Sequence, residues 1–198
     1  MSTGPRSRGQ ADAGKSREER VPYRATSLAS AYQKIDRVPV SVILDNVRSL
    51  YNVGSFFRTA DAAGIEMLFL SGITGRPPNR QIAKTALGAE ETVRWEGCDR
   101  PAQLVGQMRA RGYEIAAIET SLRAVDLFDW QPRFPLCVIF GHAVEGLERE
   151  LLDLCDTHVR SPMLGLKHSL NVATAGGVVL YELLRKYRRL SDKGRSGA

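Results

Sequence analysis

The sequence has 198 residues, of which 43% are apolar and 25% are charged, a composition typical of a soluble globular protein with one substantial core. No apolar run approaches the roughly 18 residues that a membrane-spanning helix needs, and the basic N-terminus lacks the apolar segment of a secretory signal. The net charge of +6 is uneven: residues 1–24 carry +3, residues 185–198 carry +5 and the remainder carries −2. Basic ends favour a polyanionic partner, most simply nucleic acid, although they could also serve only solubility.

Three parts of the chain are distinguished by composition. Residues 1–24 are rich in Gly, Ser, Arg and Glu and poor in large apolar groups, which predicts a disordered basic tail. Residues 25–187 are predicted to form one folded domain, which opens with a short helix in TSLASAYQKI capped by Thr26 or Ser27. Residues 188–198 are predicted to form a second basic tail.

Within the predicted domain, strand-like runs alternate with helix-like runs. The predicted strands are VPVSVILD, EMLFLSG, TVRWEG, YEIAAIE, PLCVIFG and HVRSPM. The predicted helices are VGSFFRTADAAG, ending at Gly64, then NRQIAKTALGA, RPAQLVGQMRARG, ERELLDLCD and a last helix over residues 169–187. This alternation predicts an α/β fold with a mainly parallel sheet flanked by helices. In such folds the ligand site lies beyond the carboxyl ends of the strands.

The first polar cluster is LDNVRSLYNVGSFFRTADAAG, residues 44–64. A strand ends near Asp45, and the following loop is predicted to carry Asn46, Arg48 and Asn52 into a helix. Arg58 follows six residues after Asn52, more than one turn into that helix. An arginine among apolar neighbours could be paired with an acid at the helix surface, or it could hold a phosphate in its planar fork. The segment by itself leaves these two interpretations open.

The second cluster is CVIFGHAVEGLERELLDLCD, in which a buried strand runs into Gly141 and a polar turn with Glu145 and Gly146. A glycine at the end of a strand lets a ligand approach the backbone, but it is also common in a simple strand-to-helix turn. Taken alone, the segment favours the turn.

The third cluster is RSPMLGLKHSLNVATAGG. Ser169 is predicted as the N-cap of the last helix, and Asn171 is predicted just inside that helix. A capped helix packed through small residues explains Ser169 and the two glycines, Gly176 and Gly177, but it leaves Asn171 unexplained.

Together, and in this order, the three clusters resemble the three motifs of the SpoU (TrmH) family of RNA ribose 2′-O-methyltransferases, in the SPOUT superfamily. The resemblance runs from about Val38 to Tyr187. It implies a trefoil knot in the C-terminal part of the domain, S-adenosylmethionine bound in that knot, tRNA or rRNA as the substrate, a homodimer and a cytoplasmic enzyme.

The resemblance also implies roles for individual residues. Gly141, Ser161 and Leu170 would line the cofactor pocket. The catalytic group would comprise Arg58, which activates the 2′-hydroxyl, Asn52, which orients Arg58 or the ribose, and Ser169 and Asn171 beside the reacting centre. Because a guanidinium is effectively never deprotonated in proteins, we expect Arg58 to bind the adjacent phosphate and stabilise alkoxide charge rather than act as a base.

The sequence departs from the family pattern in two places. Ala143 stands where the family has a glutamate, with His142 beside it in place of the usual asparagine, and Ser161 stands where the family usually has isoleucine. The change at Ala143 leaves open an alternative function, namely a non-catalytic RNA-binding or assembly protein that keeps the fold.

Other classes of site are not indicated. The three histidines form no metal-ligand spacing, so no metal is predicted. The three cysteines are odd in number and have no CxxC spacing, which suits a reducing cytosol. An unrelated nucleotide-binding enzyme is disfavoured, because no Gly-rich phosphate loop follows the first strand.

Overall fold

The computed structural model describes residues 36–142 and 145–195, with side chains described up to residue 192. The predicted N-terminal tail and the short helix that was expected after it lie outside the described residues. Ala143 also lies outside them, so the position that departs most from the family pattern carries no structural account.

Seven strands form one sheet in the order β3-β2-β1-β6-β4-β7-β5, and each neighbouring pair is parallel. The strands are β1 Val38–Asp45, β2 Ile65–Ser71, β3 Trp95–Cys98, β4 Glu114–Ile118, β5 Val125–Asp126, β6 Leu136–Phe140 and β7 Thr157–Arg160. The described helices are α1 Leu50–Ala63, α2 Arg80–Ala86, α3 Ala89–Thr92, α4 Pro101–Ala110, α5 Arg149–Asp153 and α6 Val172–Arg195. The predicted parallel α/β fold is confirmed.

Both faces of the sheet are covered, which explains why its central strands are apolar in nearly every position. Val42 and Leu44 of β1 pack into a core cluster with residues of α1 and α6. Ile43, which points to the other face, packs into a second cluster with residues of α4 and α5. The carboxyl ends of β1, β6, β4 and β7 therefore lie side by side at one edge of the sheet.

Helix α1 ends at Gly64 as predicted, but it begins at Leu50, three residues before the predicted start at Val53. The Ser49 side chain accepts a hydrogen bond from the backbone N–H of Asn52 and caps the start of the helix. Gly64 adopts φ +68° at the end of the helix, a left-handed conformation that favours glycine.

The last helix differs from its prediction at both ends, because α6 spans Val172–Arg195 rather than residues 169–187. Ser169 therefore lies before the helix. Residues 188–195 of the predicted basic tail continue the helix, since Arg, Leu and Lys favour helix as readily as they favour a solvated tail.

One of the two adjacent glycines of α6 has a clear structural reason. A Cβ atom on Gly176 would overlap Cε1 of Phe56, so the glycine lets α6 approach α1 closely. A Cβ atom on Gly177 would meet nothing within 4 Å. None of the helices that the structure describes is both long and apolar enough to cross a membrane.

Candidate functional site

The structure brings the first and third sequence clusters into contact. Asn171 Nδ2 donates a hydrogen bond of 3.3 Å to Oδ1 of Asn52, although the two residues are 119 positions apart in the chain. Asn52 lies in the first turn of α1, and Asn171 immediately precedes α6. The contact therefore joins the starts of two helices that pack on the same face of the sheet.

Asn171 also caps α6, which corrects the prediction that Ser169 does so. Its Oδ1 atom accepts hydrogen bonds from the backbone N–H groups of Ala173, at 3.0 Å, and Thr174, at 3.3 Å. Ser169 is exposed and makes no hydrogen bond with the described part of the chain. Serine and asparagine are both good N-caps. In the structure Asn171 caps the helix, rather than Ser169 two positions before it.

Arg58 is exposed on the outer side of α1 and has no hydrogen bond or ion pair with any described residue. The surface salt bridge, one of the two interpretations left open by the sequence, is therefore not observed. Six residues of α-helix place Arg58 about a third of a turn around the axis from Asn52 and about 9 Å along it. Within one chain, Arg58 is thus not part of the Asn52–Asn171 contact.

The loop after β6 folds back on itself at Gly141. His142 N donates to Gly146 O at 3.2 Å, and Gly146 N donates to His142 O at 2.9 Å. A Cβ atom on Gly141 would lie 2.7 Å from the carbonyl carbon and oxygen of Gly146. The close approach at Gly141 is therefore made by the chain itself.

Glu119 is a residue of this region that the sequence interpretation missed. It follows β4, which lies between β6 and β7, and its carboxylate accepts hydrogen bonds from the N–H groups of Thr120, at 2.8 Å, and Leu147, at 3.3 Å. Glu119 thereby ties the loop after β4 to the loop after β6. The available signal was an acidic residue directly after a buried strand, at the edge where parallel sheets bind ligands.

The loop after β4 is also fastened by a buried histidine of β7. Nδ1 of His158 lies 2.8 Å from Oγ of Ser121, and its Nε2 lies 2.8 Å from Nη2 of Arg123. His158 thus has a structural role, because it joins β7 to the loop after β4. Among the residues of the described ranges, no group of three His, Cys, Asp or Glu side chains could hold a metal ion.

Ser161 follows β7 and presents an unsatisfied polar atom. Its Oγ atom is buried and has no hydrogen-bond partner among the described residues. A buried hydroxyl without a partner costs about 1–3 kcal/mol, so a bound polar group would stabilise it. This orphaned hydroxyl fits the predicted cofactor pocket, because it stands at the carboxyl end of a strand next to the Glu119 loop.

Leu170, the third residue predicted to line the cofactor pocket, follows Ser161 in the chain by nine positions. It is partly exposed at the end of a loop in which Leu164 and Leu166 are almost fully exposed. Within the described ranges, no hydrogen bond links Leu170 to Gly141 or Ser161.

The pKa values of the cysteine thiols are all raised. Cys98, Cys137 and Cys155 are all free. Burial raises the pKa of Cys155 to about 12, and it also raises the pKa of Cys137 and Cys98. All three therefore remain protonated at neutral pH.

The amino-acid sequence matches a family model and several curated proteins. Residues 39–181 match the model of the SpoU rRNA Methylase family. The chain is 31% identical to "23S rRNA (guanosine-2'-O-)-methyltransferase RlmB" of Ralstonia nicotianae, over 88% of this chain and 72% of that protein. It is 30% identical to "Putative TrmH family tRNA/rRNA methyltransferase" of Staphylococcus haemolyticus, over 76% of this chain and 60% of the relative. The chain thus spans about 60% of the length of the staphylococcal relative.

Solved structures share the fold. The TrmH/SpoU tRNA modifying enzyme of A. aeolicus superposes with a TM-score of 0.75 at 25% identity, covering 82% of this chain and 84% of that one. The AdoMet-bound rRNA methyltransferase of Sinorhizobium meliloti superposes with a TM-score of 0.70 at 28% identity, covering 78% of this chain and 59% of that one. The SpoU methyltransferase AviRb of Streptomyces viridochromogenes, in complex with AdoMet, superposes with a TM-score of 0.70 at 26% identity, covering 79% of this chain and 63% of that one.

Proposed function

The chain belongs to the SpoU rRNA Methylase family, and from that premise we propose that it transfers a methyl group from S-adenosylmethionine to a ribose 2′-hydroxyl of tRNA or rRNA. The observation that carries the proposal is the hydrogen bond between Asn171 and Asn52. This hydrogen bond brings together the starts of the two helices that carry the first and third motifs. The proposed methyl transfer needs residues of both motifs at one site. Two similar structures contain AdoMet, which supports the same cofactor here.

We propose that the loops after β4, β6 and β7 hold the cofactor, with Gly141, Ser161 and Leu170 among the lining residues. The orphaned Oγ of Ser161 supports this placement, because a polar group of the cofactor would satisfy it. When bound, S-adenosylmethionine supplies a methyl group already activated on a sulfonium. The protein is then needed mainly to hold donor and acceptor in line, which can contribute up to about 7–11 kcal/mol.

The trefoil knot is part of the proposal. It would form if the segment from Ser161 to α6 passes through the loop between β4 and β6. Lys186 of α6 supports a close association with that loop, because its Nζ donates to the carbonyl oxygens of Leu127, at 2.7 Å, and Trp130.

Arg58 is proposed to bind the phosphate next to the reacting ribose and to stabilise the developing alkoxide. A guanidinium keeps its proton in proteins, so it acts through charge and hydrogen bonds rather than as a base. Its exposure, and its lack of partners among the described residues, leave its donors available. Asn52 would orient the ribose, and Ser169 and Asn171 would lie beside the reacting centre.

A homodimer is proposed because Arg58 lies about a third of a turn around α1 from Asn52 and takes no part in the Asn52–Asn171 contact of its own chain, so that a second copy could supply it. Exposed apolar side chains on the two packed helices offer an interface, namely Tyr51 of α1 and Val178 and Tyr181 of α6. The protein is further proposed to act in the cytoplasm, where its free cysteines would stay reduced.

The activity is tested by incubating the purified protein with radiolabelled S-adenosylmethionine and total tRNA or rRNA, followed by nucleotide mapping. We expect label on a ribose 2′-oxygen. Label on a base would refute ribose transfer.

The alternative, a non-catalytic RNA-binding protein, is favoured by Ala143 and is tested by Ala143→Glu. We expect this substitution to raise methyl transfer severalfold without tightening RNA binding. If both forms bind RNA and cofactor but transfer no methyl group to any RNA, the non-catalytic function is correct.

A further inference from the structure

A cleft of about 240 Å³ opens at the carboxyl ends of β1 and β2, beside the starts of α4 and α5. Leu44 and Leu70 point into the α1 face of the sheet, so the residues that follow them, Asp45 and Ser71, point to the opposite face. The two are paired in register across β1 and β2, and both line the cleft. This is the edge at which parallel sheets bind ligands.

Both residues are buried and short of hydrogen-bond partners. Asp45 is 4% exposed, and among the described residues its carboxylate accepts one hydrogen bond, from Asn46 Nδ2 at 3.1 Å. Ser71 is fully buried, and its Oγ atom has no partner within the described ranges. A buried carboxylate is stable only when several donors surround it. The cleft therefore lacks hydrogen-bond donors that a ligand could provide.

The charge of the cleft indicates the sign of that ligand. Its lining contains four carboxylates, those of Asp45, Asp99, Glu148 and Glu150, and the guanidinium of Arg100. Asp99 is already paired with Arg76 at 2.7 Å, which leaves three carboxylates against Arg100. Such an excess attracts cations and repels phosphate groups, including those of RNA. The described side chains offer no set of three suited to a metal ion, which favours an organic cation with N–H donors.

The start of α4 adds a second requirement. Pro101 and Ala102, in its first turn, line the cleft, and the helix has no side-chain cap. Pro101 has no N–H group, but the N–H of Ala102, which has no partner among the described residues, can donate to an oxygen of the ligand. A matching molecule therefore carries an ammonium group for Asp45 and Ser71 and an oxygen acceptor for α4.

We propose that this cleft is a binding site for a small organic cation that carries a primary ammonium group and a hydroxyl or carbonyl oxygen. The ammonium donates to the Asp45 carboxylate and to Ser71 Oγ. The site uses none of the residues assigned to methyl transfer, so it stands whether or not the proposed activity is correct.

The test follows the backbone amide NMR signals of the full chain during titration with 2-aminoethanol, which is protonated at neutral pH. Ethylene glycol serves as the neutral probe of similar size. We expect saturable shifts at Asn46, Gly72 and Ala102 with the amine and none with the glycol. Shifts that never saturate, or equal shifts with both probes, would overturn the proposal.

Variants locate the site. Asp45→Asn should weaken amine binding about tenfold or more, since it keeps an acceptor oxygen but removes the negative charge that strengthens the hydrogen bond to the ammonium. Ser71→Ala should weaken it severalfold while leaving the fold intact, because the hydroxyl has no partner to lose. Glu91→Gln, at an exposed position of α3, makes the same charge change away from the cleft and should have no effect.

Unchanged affinity in Ser71→Ala would contradict the site even if Asp45→Asn fails to fold. Guanosine, added as a third probe, offers planar N–H donors without a positive charge. If guanosine shifts the same amides and the amine does not, the cleft binds a nucleobase and the cation proposal is wrong.

Discussion

At the scale of single residues, Arg58 provides the sharpest test of the proposed chemistry. Arg58→Lys keeps the positive charge but loses the bidentate fork, so methyl transfer should fall by about tenfold or more while cofactor affinity stays the same. Rates with radiolabelled S-adenosylmethionine and calorimetric affinities measure the two effects. Arg111→Lys, at an exposed position elsewhere, is the matched control. Full activity in Arg58→Lys would show that the Arg58 guanidinium takes no part in methyl transfer.

Asn171 has two roles that substitutions can separate. Asn171→Ala removes both the helix cap and the contact with Asn52, and it should cost about 1 kcal/mol of unfolding free energy. Asn171→Ser keeps a capping oxygen but is too short to reach Asn52, so its stability should be close to that of the original protein. Both variants should lose methyl transfer.

Urea unfolding and methylation rates of the two Asn171 variants provide the measurements. Ser169→Ala should leave stability unchanged, because Ser169 does not cap α6. If Asn171→Ser methylates RNA at the original rate, the Asn52–Asn171 contact only positions the helix.

At the scale of elements, the adjacent glycines of α6 should respond in opposite directions to the same substitution. Gly176→Ala drives a Cβ atom into the buried ring of Phe56, which itself packs edge-on against Phe140, so overpacking should cost about 1–3 kcal/mol. Gly177→Ala meets nothing and should stabilise the helix by up to about 1 kcal/mol. Thermal unfolding of both variants tests the packing of α1 on α6. Equal changes in the stability of the two variants would contradict this packing.

Lys186 joins α6 to the segment after β5, and Glu182 lies beside Lys186 on the same helix. The stability that Glu182 contributes should depend on pH. This carboxylate accepts hydrogen bonds from Arg185, at 2.6 and 2.7 Å, and lies 3.5 Å from Nζ of Lys186. The hydrogen bonds from Arg185 hold the pKa of Glu182 below its usual value of 4.5. Because the folded state binds this proton more weakly than the unfolded state, the stability gained from Glu182 is present above about pH 4.5 and is lost as the pH falls through the lowered pKa.

Glu182→Gln tests this dependence. The original protein should be more stable than Glu182→Gln at neutral pH, and the difference should shrink as the pH is lowered below about 4.5. Thermal unfolding of both proteins across that range measures the effect, with Glu91→Gln as the control. A difference that stays constant with pH would exclude Glu182 as its source.

At the scale of the whole molecule, the sequence predicted most strands and helices because its apolar periodicity is strong. Strand β1 matches its prediction from Val38 to Asp45, and α1 ends at Gly64 as expected. Strand β5 has only two residues and was missed, since so short a strand has no periodicity to detect. The end of α6 was placed too early, because charged helix formers resemble a solvated tail.

The candidate site was less accessible to local reasoning. The Asn52–Asn171 contact spans 119 positions and was not predicted: the family resemblance assigned both residues to one site, but no spacing in the sequence indicates that they touch. The choice of cap between Ser169 and Asn171 was wrong, since either residue type satisfies the same rule. The pair formed by Asp45 and Ser71 depends on strand register, which the sequence did not supply.

The basic residues at the two ends of the chain should set the salt dependence of RNA binding. Arg188 and Arg189 are exposed on the last turns of α6, so Arg188→Gln/Arg189→Gln removes two charges without breaking the helix. A second variant lacks residues 1–24, which carry six basic and three acidic residues. For every phosphate that a variant no longer neutralises, the slope of log K against log salt should become shallower by about 0.7–0.9.

Filter binding of tRNA at several salt concentrations measures the slopes. The control, Arg94→Gln/Arg111→Gln, removes the same charge from exposed positions within the folded domain and should change the slope less. Both variants of the chain ends should bind more weakly at low salt, and their affinities should converge with that of the original protein as salt increases, because screening also removes the electrostatic attraction of the original basic ends. If the slopes of both variants equal that of the original protein, the basic ends serve solubility, and the folded surface alone must supply the affinity for RNA.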